Sequence, residues 1–519
     1  MKNLYKISLL AALVLFGACS KEYLVTAPTS STGTNAIFET VDNMELSVNG
    51  LYKCMTQQYG AFGQGYNGEG TIKYYIGTMA GNNFNMCNSG NIYLVDNSYH
   101  VNPKSTWILY PWYYYYRIIG NANTIIENGP NAQGDEAKRD YLIAQAKVMR
   151  AYCYTMLAQR FFYRWSMGKN SEAKNGNGLV LRMDTSTGDI PLSSAEATYA
   201  AIYIDLDEAI SVLEKEAYKR NKLSENYQID ANVAKAIYAR AALVREDWTT
   251  AATMARAARE GFPLMNTKDY MGGFCEPKSE WIWSSYGGTT ETLYFYSFQA
   301  YMAYNANTST CRTYPRSISK VLYDKISDTD IRKDMFLNPA GMEGDYSTST
   351  GIATAKSALD KKAREMHPDI PSNAIICAYE QFKFACIDQP GVGHLVHFRS
   401  SEMYLIEAEA EYKKNNAPAA QKLMEELIKD SGRDPSYSCT KTGEELFEEI
   451  KLYRQIELWG EGFDWFDLKR WNDPIDRKGF KDGGNSYATF AIKVVQSEVN
   501  NWWTSVIPEK EALYNKEIK

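Results

Sequence analysis

Apolar residues recur at steps of three and four along long blocks of this chain, and the blocks come in pairs, which predicts a mainly α fold of antiparallel helices. The first helix is expected over residues 40–58 and the second over 107–127, where Trp112, Tyr115, Ile119, Ala122 and Ile126 mark one face. Further helices are expected over 135–162, 194–217, 230–244 and 248–259, with a later pair over 401–414 and 417–429. Ala231, Ala234, Ala236, Ala239, Ala241 and Ala242 are small enough to let neighbouring helices approach closely. Two stretches break the pattern. Over 60–101 and 266–396, Gly, Asn, Ser, Thr and Tyr dominate, and only 321–326 looks briefly helical. Loops held by a rigid scaffold are where binding groups are expected.

The densest segment is 454–471. Thr442 with Glu445 reads as a capping box, and Leu446, Ile450, Tyr453 and Leu458 give the following helix an apolar stripe. Arg454, Glu457 and Glu461 lie three, four and seven residues apart and share a face. Gly460 and Gly462 can supply the left-handed backbone that ends the helix, after which Phe463, Trp465, Leu468 and Trp471 form a second apolar face. An ion-paired, Trp-anchored structural corner is expected here rather than an acid/base catalytic one.

The start of the chain points to export. Lys2 and Lys6 precede an apolar run over 7–16 that is too short to span a bilayer, and Gly17, Ala18 and Cys19 form a small-residue site ending in a thiol. This predicts a lipoprotein signal peptide over 1–18 and acylation of Cys19, with a Ser-, Thr- and Pro-rich tether over 19–35. The remainder, 36–519, is expected to form one domain, with a helical part over about 36–262 and a loop-rich and C-terminal part over about 263–519.

Composition narrows the partners. A net charge of −6 and no visible basic patch argue against nucleic acid. The 39 tyrosines and 11 tryptophans suit surfaces for amphipathic ligands, although many must simply be core. Beyond Cys19 the cysteines show neither CxxC spacing nor zinc-ligand intervals, so no disulfide framework and no metal site are expected.

Candidate chemistry is sparse. Residues 63–68 fit GxGxxG, but a helix rather than a strand precedes them, so no dinucleotide site is expected. His394 and His397 lack a third ligand nearby and are expected to be packed or surface residues. No nucleophile elbow, phosphate loop or zinc-protease motif occurs, and no catalytic residue or cofactor is predicted. The better candidates are aromatic. Trp281 and Trp283 alternate as a strand would, which places both indoles on one face, and Tyr286, Tyr294, Tyr296, Tyr301 and Tyr304 follow. Flat rings beside amide and guanidinium donors make a platform for sugars, which have apolar C–H faces and hydroxyl edges.

The helix pairs are similar in length and small-residue content to tetratricopeptide hairpins, although the full repeat consensus is absent. The segment 454–471 resembles the C-terminal signature of the SusD/RagB family of nutrient-binding outer-membrane lipoproteins. It departs from the commonest form at Tyr453, where an acid often precedes the Arg, and at Asp464, where Arg is frequent. The aromatic run 111–123, the Ala-Lys-x-x-Arg-Ala stretch at 146–151, the Arg-x-x-Glu helix at 399–402 and the closing motif at 507–511 match the same family in the same order. The resemblance implies a SusD-like fold, a helical scaffold carrying a loop-rich ligand-binding face. It implies cell-surface capture of a nutrient, most often an oligosaccharide, for a SusC-like TonB-dependent transporter. It also puts Asn82, Asn83, Phe84 and Asn85 in the ligand-contacting region, a second set of candidates after the Trp281, Trp283 and Tyr286 platform read from the residues themselves. The alternatives are a surface glycan hydrolase and a peptide-binding member of the same family.

Overall fold

The computed structural model describes residues 34–63, 65–86, 101–215, 218–288, 296–340, 349–487, 490–494 and 503–518. Residues 1–33, which hold the signal and nearly all of the tether, lie outside them, as does Tyr294. Among these described residues, eleven helices of eight residues or more can be followed in chain order. They are α1 (Val41–Cys54), α2 (Thr106–Asn128), α3 (Glu136–Phe161), α4 (Ala195–Leu213), α5 (Ala231–Val244), α6 (Trp248–Ala258), α7 (Ser349–Met366), α8 (Ser400–Lys413), α9 (Ala417–Glu425), α10 (Gly443–Glu457) and α11 (Asp464–Trp471). Four antiparallel strand pairs accompany them: β1 (Phe84–Met86) with β5 (Arg316–Ile318), β2 (Leu179–Val180) with β3 (Leu192–Ser193), β4 (Trp281–Ser285) with β6 (Leu395–Arg399), and β7 (Ile475–Arg477) with β8 (Ile492–Val494).

Most helix starts follow local chemistry. Thr40, Ser105, Asp135, Ser194, Asp230 and Asp247 each accept a backbone N–H of the first turn, so orphan donors are satisfied where each helix begins. Thr442 precedes α10 as expected but makes no side-chain cap bond, so the capping box does not form. Pro111 lies inside α2 and has no N–H to give the carbonyl of Trp107. Arg160, near the end of α3, supplies the missing donor, Nη2 lying 2.6 Å from that oxygen.

The helices pack on their chain neighbours, α2 on α3, α3 on α4, α5 on α6 and α8 on α9, and α6 also packs on α8. Ala234, Ala236, Ala239, Ala241 and Ala242 of α5 and Ala251, Ala252, Ala255 and Ala258 of α6 are all buried, which is what permits close approach. The irregular stretches hold more structure than periodicity predicts. Ile72–Thr78 forms a wholly buried π-helix, and α7 fills part of 266–396. Between Ala358 and Met366, Leu359 and Ala363 of α7 are buried, four residues apart on one face.

Candidate functional site

The signature corner is built around buried ions. Arg399, at the β6–α8 junction, donates from Nη1 to Glu280 Oε1 and Glu457 Oε1, both at 2.6 Å, from Nε to Glu461 Oε2 at 2.8 Å and from Nη2 to Glu461 Oε1 at 2.7 Å. Arg433 bridges Glu280 and Glu457, Arg332 bridges Glu457 and Asp330, and Lys383 reaches Glu461 at 2.7 Å. All eight side chains are buried, and four acids face four bases. Burial alone would raise the Glu457 carboxyl, but Arg433, Arg399 and Arg332 together hold it well below the usual carboxylate range. Burial pushes the Lys383 ammonium down to about 8. A balanced, enclosed network of this kind ties β4, β6 and α10 together and leaves no charge for a substrate. Glu457 and Glu461 converge on it, whereas Arg454 turns instead to Asp467 at 2.7 Å. Gly460 and Gly462 adopt φ of 78° and 92°, and Trp465 is buried while Trp471 is only half-buried.

The two indoles expected to form a ligand platform are core. Trp281 and Trp283 have no exposed surface, and every residue of β4 is buried. Trp283 packs on His397 and Phe398 and donates from Nε1 to Tyr227 O at 2.9 Å, and Trp281 faces Phe274. Register shifts on either side of Trp283 interrupt the simple alternation from which one shared face was expected. A ring sealed on both faces cannot stack on a ligand, so the expectation for these two residues is corrected.

Asn82, Asn83 and Phe84 are likewise drawn inward. Asn83 donates its backbone N–H to Asp464 Oδ2 at 2.7 Å and its side-chain amide to Asp464 Oδ1 at 2.8 Å, while Trp459 Nε1 donates to Asn83 O. Half-buried Asn82 spends its amide on Pro474 O and Asp476 N. Phe84 is buried in β1 and stacks on Trp459, and Asn85 bonds to Ser317 and to Asn485 O. Asn83 and Phe84 bind the signature corner, while Asn82 bonds to Pro474 and Asp476 and Asn85 to Ser317 and Asn485, which corrects their placement in a ligand face.

Tyr286 differs. It follows β4 immediately, is 44% exposed, and stands edge-on to His394 at 5.1 Å and to Tyr227 at 6.3 Å. It borders a shallow cleft of about 50 Å³ whose walls include Thr56, Asn67, Ser297, Phe298 and Gly391. Gly287 permits this geometry, since a Cβ there would lie 2.0 Å from Gly393 O. Asn67 is 4% exposed, and among the described residues its Oδ1 has no hydrogen-bond partner. The exposed Tyr286 ring offers an apolar face with a polar hydroxyl tip, which suits a hydroxylated, partly apolar ligand, and the unmatched Asn67 amide lies on the wall of the same cleft. Of the described residues around the cleft, none is Asp, Glu, Lys, Arg or His. Tyr286 was among the residues expected from the sequence, and Asn67 was not. Tyr301 and Tyr304 are half-buried and pack on Tyr74 and on His367.

His394 and His397 are packed against neighbouring rings. His397 Nε2 lies 2.6 Å from Ser285 Oγ, and burial, with Lys73 and Arg240 nearby, depresses its pKa well below the usual value, so the ring is neutral. Among the described residues no group of three or more His, Cys, Asp or Glu is placed to hold a metal ion, and seven cysteines are free thiols. No helix of the described residues is long and apolar enough to cross a membrane.

Two family models match separate parts of the chain. One, described as the SusD family, covers residues 393–515, and the other, described as starch-binding associating with outer membrane, covers residues 30–244. No curated protein matches. Among solved structures, a SusD-like carbohydrate binding protein from Bacteroides vulgatus is 21% identical with a TM-score of 0.72, over 93% of this chain and 98% of that one. A SusD superfamily protein from Bacteroides thetaiotaomicron is 20% identical with a TM-score of 0.70, over 92% and 99%. A SusD-like carbohydrate binding protein from Bacteroides fragilis is 16% identical with a TM-score of 0.68, over 93% and 100%. At these identities the structures share a fold with this chain.

Proposed function

We propose, from the premise that this chain belongs to the SusD/RagB family, that it is a lipid-anchored protein of the outer-membrane surface which binds an oligosaccharide at the Tyr286 cleft and passes it to a SusC-like TonB-dependent transporter. The observation that carries this reading is the pairing of the exposed Tyr286 ring with the unmatched Asn67 Oδ1 in one cleft. One ring face can take the C–H face of a sugar. Binding is favoured over hydrolysis because glycoside cleavage needs two carboxyl groups flanking the scissile bond, and no described residue of the cleft supplies one. The carbohydrate-binding descriptions of the similar proteins support the ligand class. The signal peptide over 1–18, the tether and the single domain over 36–519 belong to the same proposal.

Calorimetric titration against a panel of neutral and acidic oligosaccharides and short peptides is the test. Tyr286→Ala should weaken the bound sugar by about 1 to 3 kcal/mol without shifting the unfolding midpoint. Peptide binding, or new reducing ends in the incubated sugars, would replace this reading with one of the alternatives. Cys19→Ala should release the protein from the membrane fraction, because only an N-terminal cysteine can take the lipid. Equal membrane retention of that variant would overturn the anchor.

A further inference from the structure

A second cavity, of about 350 Å³, opens among the helices and shares no residue with the Tyr286 cleft. It lies where the end of α3 and the α5–α6 turn meet α8, α10 and α11, and its volume falls within the range of about 300 to 1,000 Å³ that small-molecule sites occupy. Trp165, Trp248 and Trp471 stand on its walls, each half-buried and so offering part of an indole to the opening. Two of them are fixed in place: Tyr199 meets Trp165 edge-on at 5.5 Å, and the Arg470 guanidinium covers Trp471 at 4.6 Å.

The charges on the walls do not balance. Lys469 spends its ammonium on the carbonyls of Gln159 and Phe162 at the end of α3, and Arg470 pairs with Glu409 and Asp467. Lys413 and Arg164 remain. Among the described residues neither has a carboxylate within ion-pair distance: the Lys413 ammonium rests 3.8 Å over the Phe447 ring, and Arg164 bonds only to Ser166 Oγ, leaving its Nε unpartnered. Among the described residues of the walls, Glu246 is the one acid not paired with a base. It holds a left-handed φ of 58° after α5, where glycine is the usual residue, and its carboxylate accepts Ser166 N–H at 3.2 Å.

Half-exposed indoles beside two cations without counter-ions describe a flat, hydroxylated ring bearing a negative charge. We infer that this cavity is a second saccharide subsite, selective for a sugar ring that carries a carboxylate, with the ring against Trp248 and the carboxylate beside Lys413 and Arg164. The inference rests on the reading of the protein as a glycan binder and adds a site and a ligand class to it.

The test is calorimetric titration of the full chain with trigalacturonic acid and with its methyl ester, which keeps the size and removes the charge. Trigalacturonic acid should bind, the ester should bind at least about tenfold more weakly, and Lys413→Met and Trp248→Ala should each cost at least about tenfold. Thermal melts of the variants exclude misfolding, and Lys413→Met keeps the apolar stem on Phe447. If trigalacturonic acid binds but only Tyr286→Ala weakens it, or if the wild type binds neutral sugars and not trigalacturonic acid, the second site falls and the loop-face reading stands. If no sugar binds at all, both fall.

Discussion

Asn83 gives both its backbone N–H and its side-chain amide to the carboxylate of Asp464, a residue 381 positions later in the chain. Two donors converge on one carboxylate, and the same asparagine accepts a bond from Trp459, so the loop after the π-helix is fastened to the start of α11. Asp464 is also the position at which the signature departs from the Arg common in the family. Here it serves as the acceptor the loop requires. Gly81 allows the approach, since a Cβ there would lie 2.2 Å from Asp464 Oδ2.

Removing one partner of this clasp strands the other. Asn83→Ala should lower stability by about 1 to 3 kcal/mol, the range for leaving a buried acceptor unsatisfied. Ligand affinity measured well below the unfolding midpoint should match the wild type. Denaturant titration and calorimetry together decide it: lost binding at unchanged stability would return this loop to the ligand face.

Trp283 and Tyr286 lie three residues apart and should behave as opposites. Trp283→Ala empties a sealed site in the core and should cost about 3 to 5 kcal/mol of stability. Tyr286→Ala removes an exposed ring and should leave the unfolding midpoint within about 0.5 kcal/mol of wild type. Urea unfolding of the two variants side by side gives the answer, and equal losses would show that the ring of Tyr286 is core as well.

What could be read in the sequence follows from how far each signal reaches along the chain. The helices α1 to α6 were legible because a three- and four-residue period is a local property, and the boundaries shift by only a few residues. Helix α7 was not, because its Ile352, Ala355, Leu359 and Ala363 spacing follows directly on a Gly-, Ser- and Thr-rich run that reads as loop. Alternation placed Trp281 and Trp283 in a strand correctly but could not show that every residue of that strand is buried or that register shifts against β6 flank Trp283. For Asn82 and Asn83 the deciding partners, Pro474 and Asp464, are nearly 400 residues away, and no local pattern encodes that contact. Asn67 carries its signal in three dimensions only, as an oxygen left without a donor.

The acid at the centre of the buried network offers a sharper test of its role. Glu457 is shared by Arg332, Arg399 and Arg433, so Glu457→Gln leaves three buried guanidinium groups short of an anion. Loss of one partner in a buried pair costs about 3 to 5 kcal/mol, and chemical denaturation should show at least that here. Because its carboxyl is held below its ordinary 4.5, Glu457 contributes stability that is present above that pH and is lost as the medium is acidified through the lower value. The wild type should therefore lose its advantage over the variant in acid, and a difference that stays constant down to about pH 3 would argue against the ion pairs as its source.

Glu380 should show the reverse dependence. It is buried beside β5, its Oε2 accepts the Cys377 N–H at 3.0 Å, and burial pushes its carboxyl from 4.5 up to about 8. Between those values the folded chain keeps a proton that the unfolded chain has released, so the contribution of Glu380 falls as pH rises from about 4.5 to about 8. The slope for one proton is at most about 1.4 kcal/mol per pH unit. Glu380→Gln keeps an acceptor for Cys377 and cannot ionise, so it should be the more stable protein at about pH 8, with the gap closing as pH is lowered toward about 5. Urea unfolding of both proteins at half-unit steps across that window measures the gap directly. Parallel curves would mean that Glu380 is ionised in the folded chain throughout, with a base such as Arg316 or Arg364 stabilising the charge.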